Sequence, residues 1–244
     1  PGEAVGAPWH PHRGFETVAY LLDGRMRHED SAGNSGELNP GDVQWMTAGR
    51  GIIHCEEPHE DFLKTGGRTH GFQIWVNLPA EHKMMAPRYQ EVPASESPTV
   101  EENGVSARII AGECMGVSSS IDTKIPITLI HVKMEKGSRL IQKIDSALNG
   151  MIYVFGGSII IENKISVKKH PMAFGLGAKQ NIVDGELALL SEGDEIKIHS
   201  TSESEFLILA GPELNEPIER YGPFVMNTKE EIHQAFLDYQ NGTL

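Results

Sequence analysis

Two short segments place potential metal ligands at alternate positions along the chain. One residue separates His10 from His12, and one residue separates His54 from Glu56. Successive side chains of an extended strand point to opposite faces, so each pair shares one face. If the two segments pair within one barrel, three imidazoles and one carboxylate converge on a single point. That ligand set suits Fe(II), Mn, Co, Ni, Cu or Zn, and it leaves coordination positions open for a substrate.

Histidines at these spacings also have an ordinary explanation. A single histidine on a strand is usually a packed or solvated side chain, and one His-x-His pair arises easily by chance. Two same-face pairs between residues 10 and 56 favour a metal site, although the spacing leaves the metal open. We expect His28, which follows a turn, to be a surface or turn residue. Cys55 lies on the face opposite the ligands and is expected to be a packed thiol.

The remaining aromatic and histidine positions indicate no further site. Four aromatic or methionine side chains could line a pocket: Trp45, Met46, Phe72 and Trp75. Aromatic and methionine side chains on strands usually belong to the core, however, so we expect core positions for them. The second half carries no His-x-His or His-x-Glu pair, and its stretch at 137–145 reads GSRLIQKID. We therefore predict that it binds no metal; its isolated histidines are His131, His170 and His199.

The elements that must position the ligands are predicted to be short β-strands separated by turns, as in a barrel or sandwich. We expect Asp23-Gly24 to form a tight hairpin turn, and 39–42 (NPGD) to open a strand. The stretch 191–194 (SEGD) repeats that second pattern, which suggests two copies of one barrel. The predicted strands cover 15–22, 25–29, 43–47, 51–56, 71–78, 127–134, 151–155, 158–162, 186–190, 195–199 and 206–209.

The chain is predicted to divide near residue 98. Residues 79–98 are rich in Pro, Glu and Ser and are expected to be a linker, so the domains would be 1–98 and 99–244. One helix closes the second domain. Thr228 and Glu231 form a capping box there, ahead of an apolar stripe. The stripe consists of Ile232, Ala235, Phe236 and Tyr239.

Composition excludes several classes of function. The net charge is −13, from 34 acidic and 21 basic residues, which disfavours direct contact with nucleic acid. No apolar run approaches the roughly 18 residues of a membrane span, so we expect no membrane association. With two cysteines a disulfide framework is not expected. A reducing compartment follows: the cytoplasm, and the nucleus as well in a eukaryote.

Long segments of the chain resemble the pirin family. They are HPHRGFETVAYLLDGRMRHEDSAGNSGELNPGDVQWMTAGRGIIHCEEP, then GFQIWVNLP, and finally GPFVMNTKEEI. The resemblance implies two tandem cupin barrels of the jelly-roll type, the first with a mononuclear non-haem iron and the second without metal. The family's ligands then fall on His10, His12, His54 and Glu56, with one Fe(II) per chain and other divalent transition metals left open. Pirins usually have several dozen residues before HPHRG, so we expect the first barrel to be shortened at its start.

The general cupin pattern is matched only in part. Its first motif fits His10, His12 and Glu16, and in common cupins the Glu16 position supplies the carboxylate ligand. The second motif keeps Gly41 and Gly49, but Thr47 replaces the usual proline. Glu56 lies two strand positions from His54, whereas Glu16 needs a bend in the chain to return to the metal. We expect Glu56 to be the ligand and Glu16 to lie beside the site.

The resemblance implies a quercetin 2,3-dioxygenase, whose substrates are a flavonol and O2 and which releases CO. Glu56 is then also the candidate general base for the flavonol proton. The alternative is an iron-dependent, redox-sensing transcriptional co-regulator that acts through protein partners such as transcription factors. A cupin isomerase or small-molecule binder that uses Zn or Mn is a third hypothesis.

Overall fold

The computed structural model of the chain describes residues 1–162 and 181–244. Contacts between residues divide these into two compact units, one formed by Pro1–Glu96 with Leu214–Leu244 and the other by Ser97–Glu213. Both units consist mainly of antiparallel strands. The predicted all-β fold with a short C-terminal helix is confirmed.

The elements of the first unit are β1 (Ala7–His12), β2 (Phe15–Asp23), β3 (Met26–Asp30), β4 (Ser35–Leu38), β5 (Val43–Thr47), β6 (Ile52–Pro58), α1 (Glu60–Thr65), β7 (His70–Asn77), α2 (Ala80–Lys83) and β8 (Arg88–Val92). The second unit contains β9 (Thr99–Glu102), β10 (Val105–Ala111), β11 (Glu113–Cys114), β12 (Val117–Ser118), β13 (Thr128–Met134), β14 (Arg139–Lys143), β15 (Leu148–Gly156), β16 (Ser158–Ile161), β17 (Asn181–Val183), β18 (Leu187–Leu189), β19 (Glu195–Ser200) and β20 (Ser204–Pro212). The first unit is completed by β21 (Glu219–Tyr221), β22 (Phe224–Met226) and α3 (Lys229–Asn241).

Two four-stranded sheets form the body of the first unit. One has the order β1-β6-β3-β4 and the other the order β7-β2-β5-β8. Strand β5 lies between two neighbours and is buried along its whole length. Trp45 and Met46 of this strand are fully buried, as predicted for core positions. The first sheet carries both segments that supply the candidate ligands, because β1 pairs with β6.

The turn at Asp23-Gly24 does not form the predicted hairpin. Gly24 adopts φ = 100°, a left-handed conformation that glycine tolerates. The strands on either side belong to different sheets, however, since β2 pairs with β5 and β7 while β3 pairs with β4 and β6. Turn residues indicate where the chain reverses, but they do not specify which strand it will pair with. The same crossing between sheets occurs at Gly156-Gly157, between β15 and β16.

The strand orders support a duplicated barrel, although not at the predicted repeat. In the described part of the second unit, β14-β19-β16-β17 matches β1-β6-β3-β4, and β20-β15-β18 matches β7-β2-β5. The NPGD segment at 39–42 precedes β5, whose counterpart is β18. The SEGD segment at 191–194 precedes β19, which is the counterpart of β6. The two segments are therefore not at equivalent positions, so their similarity was an incorrect reason to predict a duplicated barrel.

The stretch predicted as a linker belongs largely to the first unit. It contains helix α2 and strand β8, which pairs along its length with β5. Because β8 is an edge strand, it tolerates the flanking prolines Pro87 and Pro93 that suggested a linker.

The terminal helix α3 is capped as predicted. The Thr228 side chain accepts a hydrogen bond from Glu231 N, and the Glu231 carboxylate accepts one from Thr228 N. Ile232 and Ala235 are buried against Phe224 and Met226, whereas Tyr239 is 39% exposed and lies outside the buried stripe. The helix is thus part of the first compact unit, and not of the second half as the sequence suggested. None of the described helices combines the length and hydrophobicity that crossing a bilayer requires.

Candidate metal centre

Three of the four predicted ligands meet at one end of the β1–β6 pair. His10 lies opposite His54 in the antiparallel register, and His12 is two residues further along β1 on the same face. One ring nitrogen of each histidine lies within 4.8 Å of the others. In the described ranges, this is the one cluster of histidine, cysteine or acidic side chains with the spacing of a metal site.

The hydrogen bonds of His10 and His12 define their tautomers. Nδ1 of His10 lies 2.7 Å from the carbonyl oxygen of Pro8, and Nδ1 of His12 lies 3.3 Å from that of Pro223. A carbonyl oxygen only accepts hydrogen bonds, so each Nδ1 is the donor. In the neutral imidazoles both Nε2 atoms then carry lone pairs, and these two atoms are only 3.0 Å apart. Two lone pairs at that distance repel each other unless a proton or a metal ion lies between them.

Burial keeps two of the imidazoles uncharged. His12 is 4% exposed, and its pKa is lowered to about 4, first by burial and then by the nearby His10. His54 is fully buried, and burial, followed by His10 and His12, lowers its pKa to about 3. Metals bind the neutral form of imidazole, so both rings are ready to coordinate at neutral pH.

His54 gives the strongest indication that the histidine cluster binds a metal ion. Both of its ring nitrogens are buried, and neither has a hydrogen-bond partner among the described residues. A buried polar atom without a partner costs roughly 1–3 kcal/mol. A metal ion held by His10, His12 and His54 satisfies one of these nitrogens and separates the facing Nε2 atoms. The side chains present therefore fit a transition metal.

Glu56 does not join the histidine cluster. It lies on β6, opposite Ala7 of β1 and His28 of β3, and its side chain is half-buried. Burial raises the pKa of its carboxyl group, while the neighbouring His10 and His28 oppose that shift. Glu56 instead lines a cavity of about 280 Å³. Apolar side chains form much of the remaining wall, among them Tyr20, Leu21, Leu38 and Phe72.

Glu16 is also outside the cluster. It is completely buried on β2, opposite Thr47 of β5. The Thr47 hydroxyl donates a 2.6 Å hydrogen bond to Glu16 Oε1. The threonine that replaces the usual cupin proline thus holds the carboxylate of the ordinary cupin position.

The expectation that His28 is a surface or turn residue was wrong. His28 lies on β3, is 2% exposed and has Nε2 2.8 Å from Glu91 Oε1. Its ring stacks on Tyr89, with 5.6 Å between centroids. The sequence did not predict this group, because Tyr89 and Glu91 lie in the stretch predicted to be a linker. Their alternate positions in β8, together with the same parity of His28 and Asp30 in β3, were the available signal.

Two further side chains near the cluster can be compared with expectation. Trp75 is 39% exposed, so its assignment to the core was wrong; its ring packs against Phe15 and His12 at centroid distances of 4.3 and 5.6 Å. Cys55 is buried, and burial raises the pKa of its thiol, in agreement with a packed thiol.

In the second unit, His131 lies 2.9 Å from Glu205, while His170 falls outside the described residues.

The face of the second unit that corresponds to the histidine cluster is mostly aliphatic, with Gln142 and Ser200 as its buried polar residues. Strands β14 and β19 are the counterparts of β1 and β6. Their buried positions include Leu140, Ile196 and Ile198, all members of that unit's core. Aliphatic packing therefore occupies the face that carries imidazoles in the first unit.

Comparison with known proteins identifies the family. Residues 2–76 match the pirin family model, and residues 129–244 match the model of the pirin C-terminal cupin domain. The chain belongs to the pirin family. It is 42% identical to mouse pirin over 243 residues, which cover 98% of this chain and 78% of the mouse protein.

Two solved pirin-like structures share the fold. The crystal structure of a quercetin 2,3-dioxygenase from Acinetobacter baumannii matches with a TM-score of 0.88 and 36% identity, covering 99% of this chain and 80% of that one. A bacterial pirin from Escherichia coli in complex with nickel(II) matches with a TM-score of 0.64 and 22% identity, covering 86% and 77%. Solved structures that share this fold thus include one with bound nickel(II) and one named for dioxygenase activity.

Proposed function

We propose that this pirin-family chain is a mononuclear non-haem iron dioxygenase of the quercetin 2,3-dioxygenase type. It opens the central ring of a flavonol with O2 and releases CO. The observation that carries the proposal is the cluster of His10, His12 and His54, whose ring nitrogens face one another without a hydrogen-bonding arrangement that satisfies them. The similarity to the Acinetobacter enzyme supports the choice of reaction.

The three histidines hold the iron, and Glu56 is proposed as its fourth ligand. The proposal is supported by its position, because Glu56 follows His54 by two residues on the same strand. When bound, Fe(II) supplies Lewis acidity, orientation of the substrate and redox capacity. The donor set also suits other divalent transition metals, so iron itself is part of the proposal.

The cavity beside Glu56 is the proposed flavonol site. Its volume of about 280 Å³ is close to the lower end of small-ligand pockets. Phe72 and Leu21 offer apolar surface to the aromatic rings and exclude water from them. A larger cavity of about 600 Å³ occurs in the second unit, but glutamates supply much of its lining and histidines none.

Glu56 is also the proposed general base. Its carboxylate lines the cavity, and burial raises its pKa, which strengthens it as a proton acceptor. It would take the proton of the flavonol hydroxyl, so that the substrate binds as its anion. Proton transfer by a positioned group of this kind typically contributes about 100-fold or more to the rate.

Oxygen uptake tests this proposal directly. Protein loaded with Fe(II) under anaerobic conditions is mixed with a flavonol and air-saturated buffer, and O2 consumption and CO release are both followed. We expect one O2 consumed and one CO released for each flavonol opened. Iron-loaded protein that consumes no oxygen with any of a panel of flavonols would contradict the enzymatic proposal and favour the co-regulator hypothesis.

A further inference from the structure

The C-terminal segment packs directly against the residues around His12. Phe224 forms a parallel β-bridge with Arg13, and Val225 N donates a 3.1 Å hydrogen bond to Arg13 O. The carbonyl of Pro223 accepts the hydrogen bond from His12 Nδ1. We infer that residues 223–238, which we call the C-terminal clamp, position the imidazole of His12 for metal binding, with Asp238 as the positioning residue. This inference rests on the metal site proposed above.

Arg13 connects the C-terminal clamp to the ends of β1 and β6, the two strands that carry the histidines. Its side chain is 5% exposed, and Nη1 lies 2.7 Å from Asp238 Oδ2 on helix α3. Its Nε donates to the carbonyl of Arg50, two residues before the start of β6, which carries His54. One buried guanidinium thus connects the end of β1, the approach to β6 and the terminal helix.

Asp238 is held in the charged form that this contact requires. The hydrogen bond from Arg13, followed by a 2.7 Å hydrogen bond from Gln234 Nε2, lowers the pKa of the Asp238 carboxyl. Charge-assisted hydrogen bonds of this type are roughly twice as strong as neutral ones. The contact between helix α3 and the residue after His12 is therefore a strong one.

Lys83 fastens the clamp at a second point. Its Nζ donates hydrogen bonds to the carbonyl oxygens of Gly14 and Val225, at 2.8 and 2.9 Å, and to Asn77 Oδ1 at 2.7 Å. The two backbones also approach closely at Gly14, where an added Cβ atom would lie 2.0 Å from Val225 O. Only glycine permits this approach, so the clamp follows the chain immediately after His12.

The consequence for the metal comes from the His12 tautomer. The hydrogen bond to Pro223 O keeps the proton on Nδ1 and directs the Nε2 lone pair towards His10 and the metal position. Loss of such an outer partner of a metal ligand typically costs about 10- to 100-fold in metal affinity. Because the partner is a backbone carbonyl, its position depends on the contacts at Asp238 and Lys83.

The test compares Asp238→Asn with a matched control variant in the 244-residue chain. Glu37→Gln removes the same charge from an exposed ion pair, in which Glu37 Oε2 lies 2.5 Å from Arg25. Co(II) serves as the probe, since its affinity is measured by competition with a chelator and its visible spectrum reports ligand geometry. We expect Asp238→Asn to bind Co(II) 10- to 100-fold more weakly with an altered spectrum, Asp238→Glu to recover part of both, and Glu37→Gln to match the wild type.

A purely structural role predicts a different result. If Asp238→Asn lowers the melting temperature but keeps wild-type affinity and spectrum, the inference is overturned. Should that variant not fold, Gln234→Ala removes only the second hydrogen bond to Asp238 and should weaken Co(II) binding in the same direction; an unchanged affinity overturns the inference too. A wild-type protein that binds no Co(II) overturns the proposed metal site itself.

Discussion

At the scale of single residues, the candidate site consists of three imidazoles whose ring nitrogens do not satisfy one another's hydrogen-bonding capacity. The Nε2 atoms of His10 and His12 face each other at 3.0 Å, and His54 is buried without a partner among the described residues. The sequence predicted which histidines converge, because spacing along a strand determines the face of a side chain. It did not predict His28 as a buried neighbour, since that depends on contact with β8 across the barrel.

Replacing His10 or His54 by Ala should abolish tight metal binding and leave the first unit folded. The core of that unit, including Trp45 and Phe15, supplies most of its stability through buried apolar area. Metal content by mass spectrometry and secondary structure by circular dichroism measure the two effects. His233→Ala is the control, because His233 is exposed on α3. Full metal occupancy in either cluster variant would show that the ligands lie elsewhere.

Replacing Glu56 by Gln should separate its two proposed roles. Glutamine keeps an oxygen donor for the metal but does not accept the flavonol proton. We expect measurable iron and a loss of activity of about 100-fold or more. Raising the pH should restore part of the activity, because more of the substrate then arrives ionised.

Glu16→Gln is the companion variant for Glu56. Its amide oxygen can still accept the hydrogen bond from the Thr47 hydroxyl, so we expect a much milder effect on iron content and turnover. If Glu16→Gln instead strips the metal while Glu56→Gln stays active, the ordinary cupin ligand assignment holds and the assignment to Glu56 fails.

At the scale of elements, the site depends on the pairing of β1 with β6, which local sequence does not specify. The strand bounds of β2, β5 and β7 were predicted closely, because each is a run of apolar and β-branched residues bounded by turns. The turn at 23–24 was misinterpreted as a hairpin, since the strands on either side of it pair with partners far away in sequence. The role of β22 was missed for a different reason, because its three residues are too few for a periodic pattern.

Lys83 provides a test of how β22 is attached. Lys83→Met leaves the carbonyls of Gly14 and Val225 without their donor, so we expect a loss of about 3 kcal/mol in the free energy of unfolding. Chemical denaturation monitored by circular dichroism measures this loss. Lys64→Met is the control, because the Lys64 side chain is 71% exposed. Equal stability of the two variants would contradict the attachment.

The same residue predicts a pH dependence with a definite sign. Burial lowers the pKa of Lys83 from 10.5 to about 8 in the folded protein. Between these values the unfolded chain binds more protons, so the contribution of Lys83 to stability rises with pH. The difference in unfolding free energy between the wild type and Lys83→Met should therefore grow as the pH increases from 8 to 10.5. A difference that shrinks over this window would show that Lys83 is buried without a penalty on its charge.

At the scale of the whole molecule, one barrel topology occurs twice, with different side chains on the corresponding buried faces. The sequence predicted this division of roles from the presence of paired ligands in the first half and their absence around 137–145. In the structure, the corresponding face of β14 and β19 carries Leu140, Ile196 and Ile198, together with the buried Gln142. The grouping of the terminal helix with the first unit was not predictable, because it depends on contacts such as Arg13 with Asp238.

The central claim is that one metal binds per chain, at the histidine cluster of the first unit. Anomalous X-ray scattering from crystals of metal-loaded protein, recorded at the absorption edge of the metal, locates every bound ion. We expect one strong peak among His10, His12 and His54, at full occupancy. A peak at His131, His170 or His199, or no peak at the cluster, would contradict this claim.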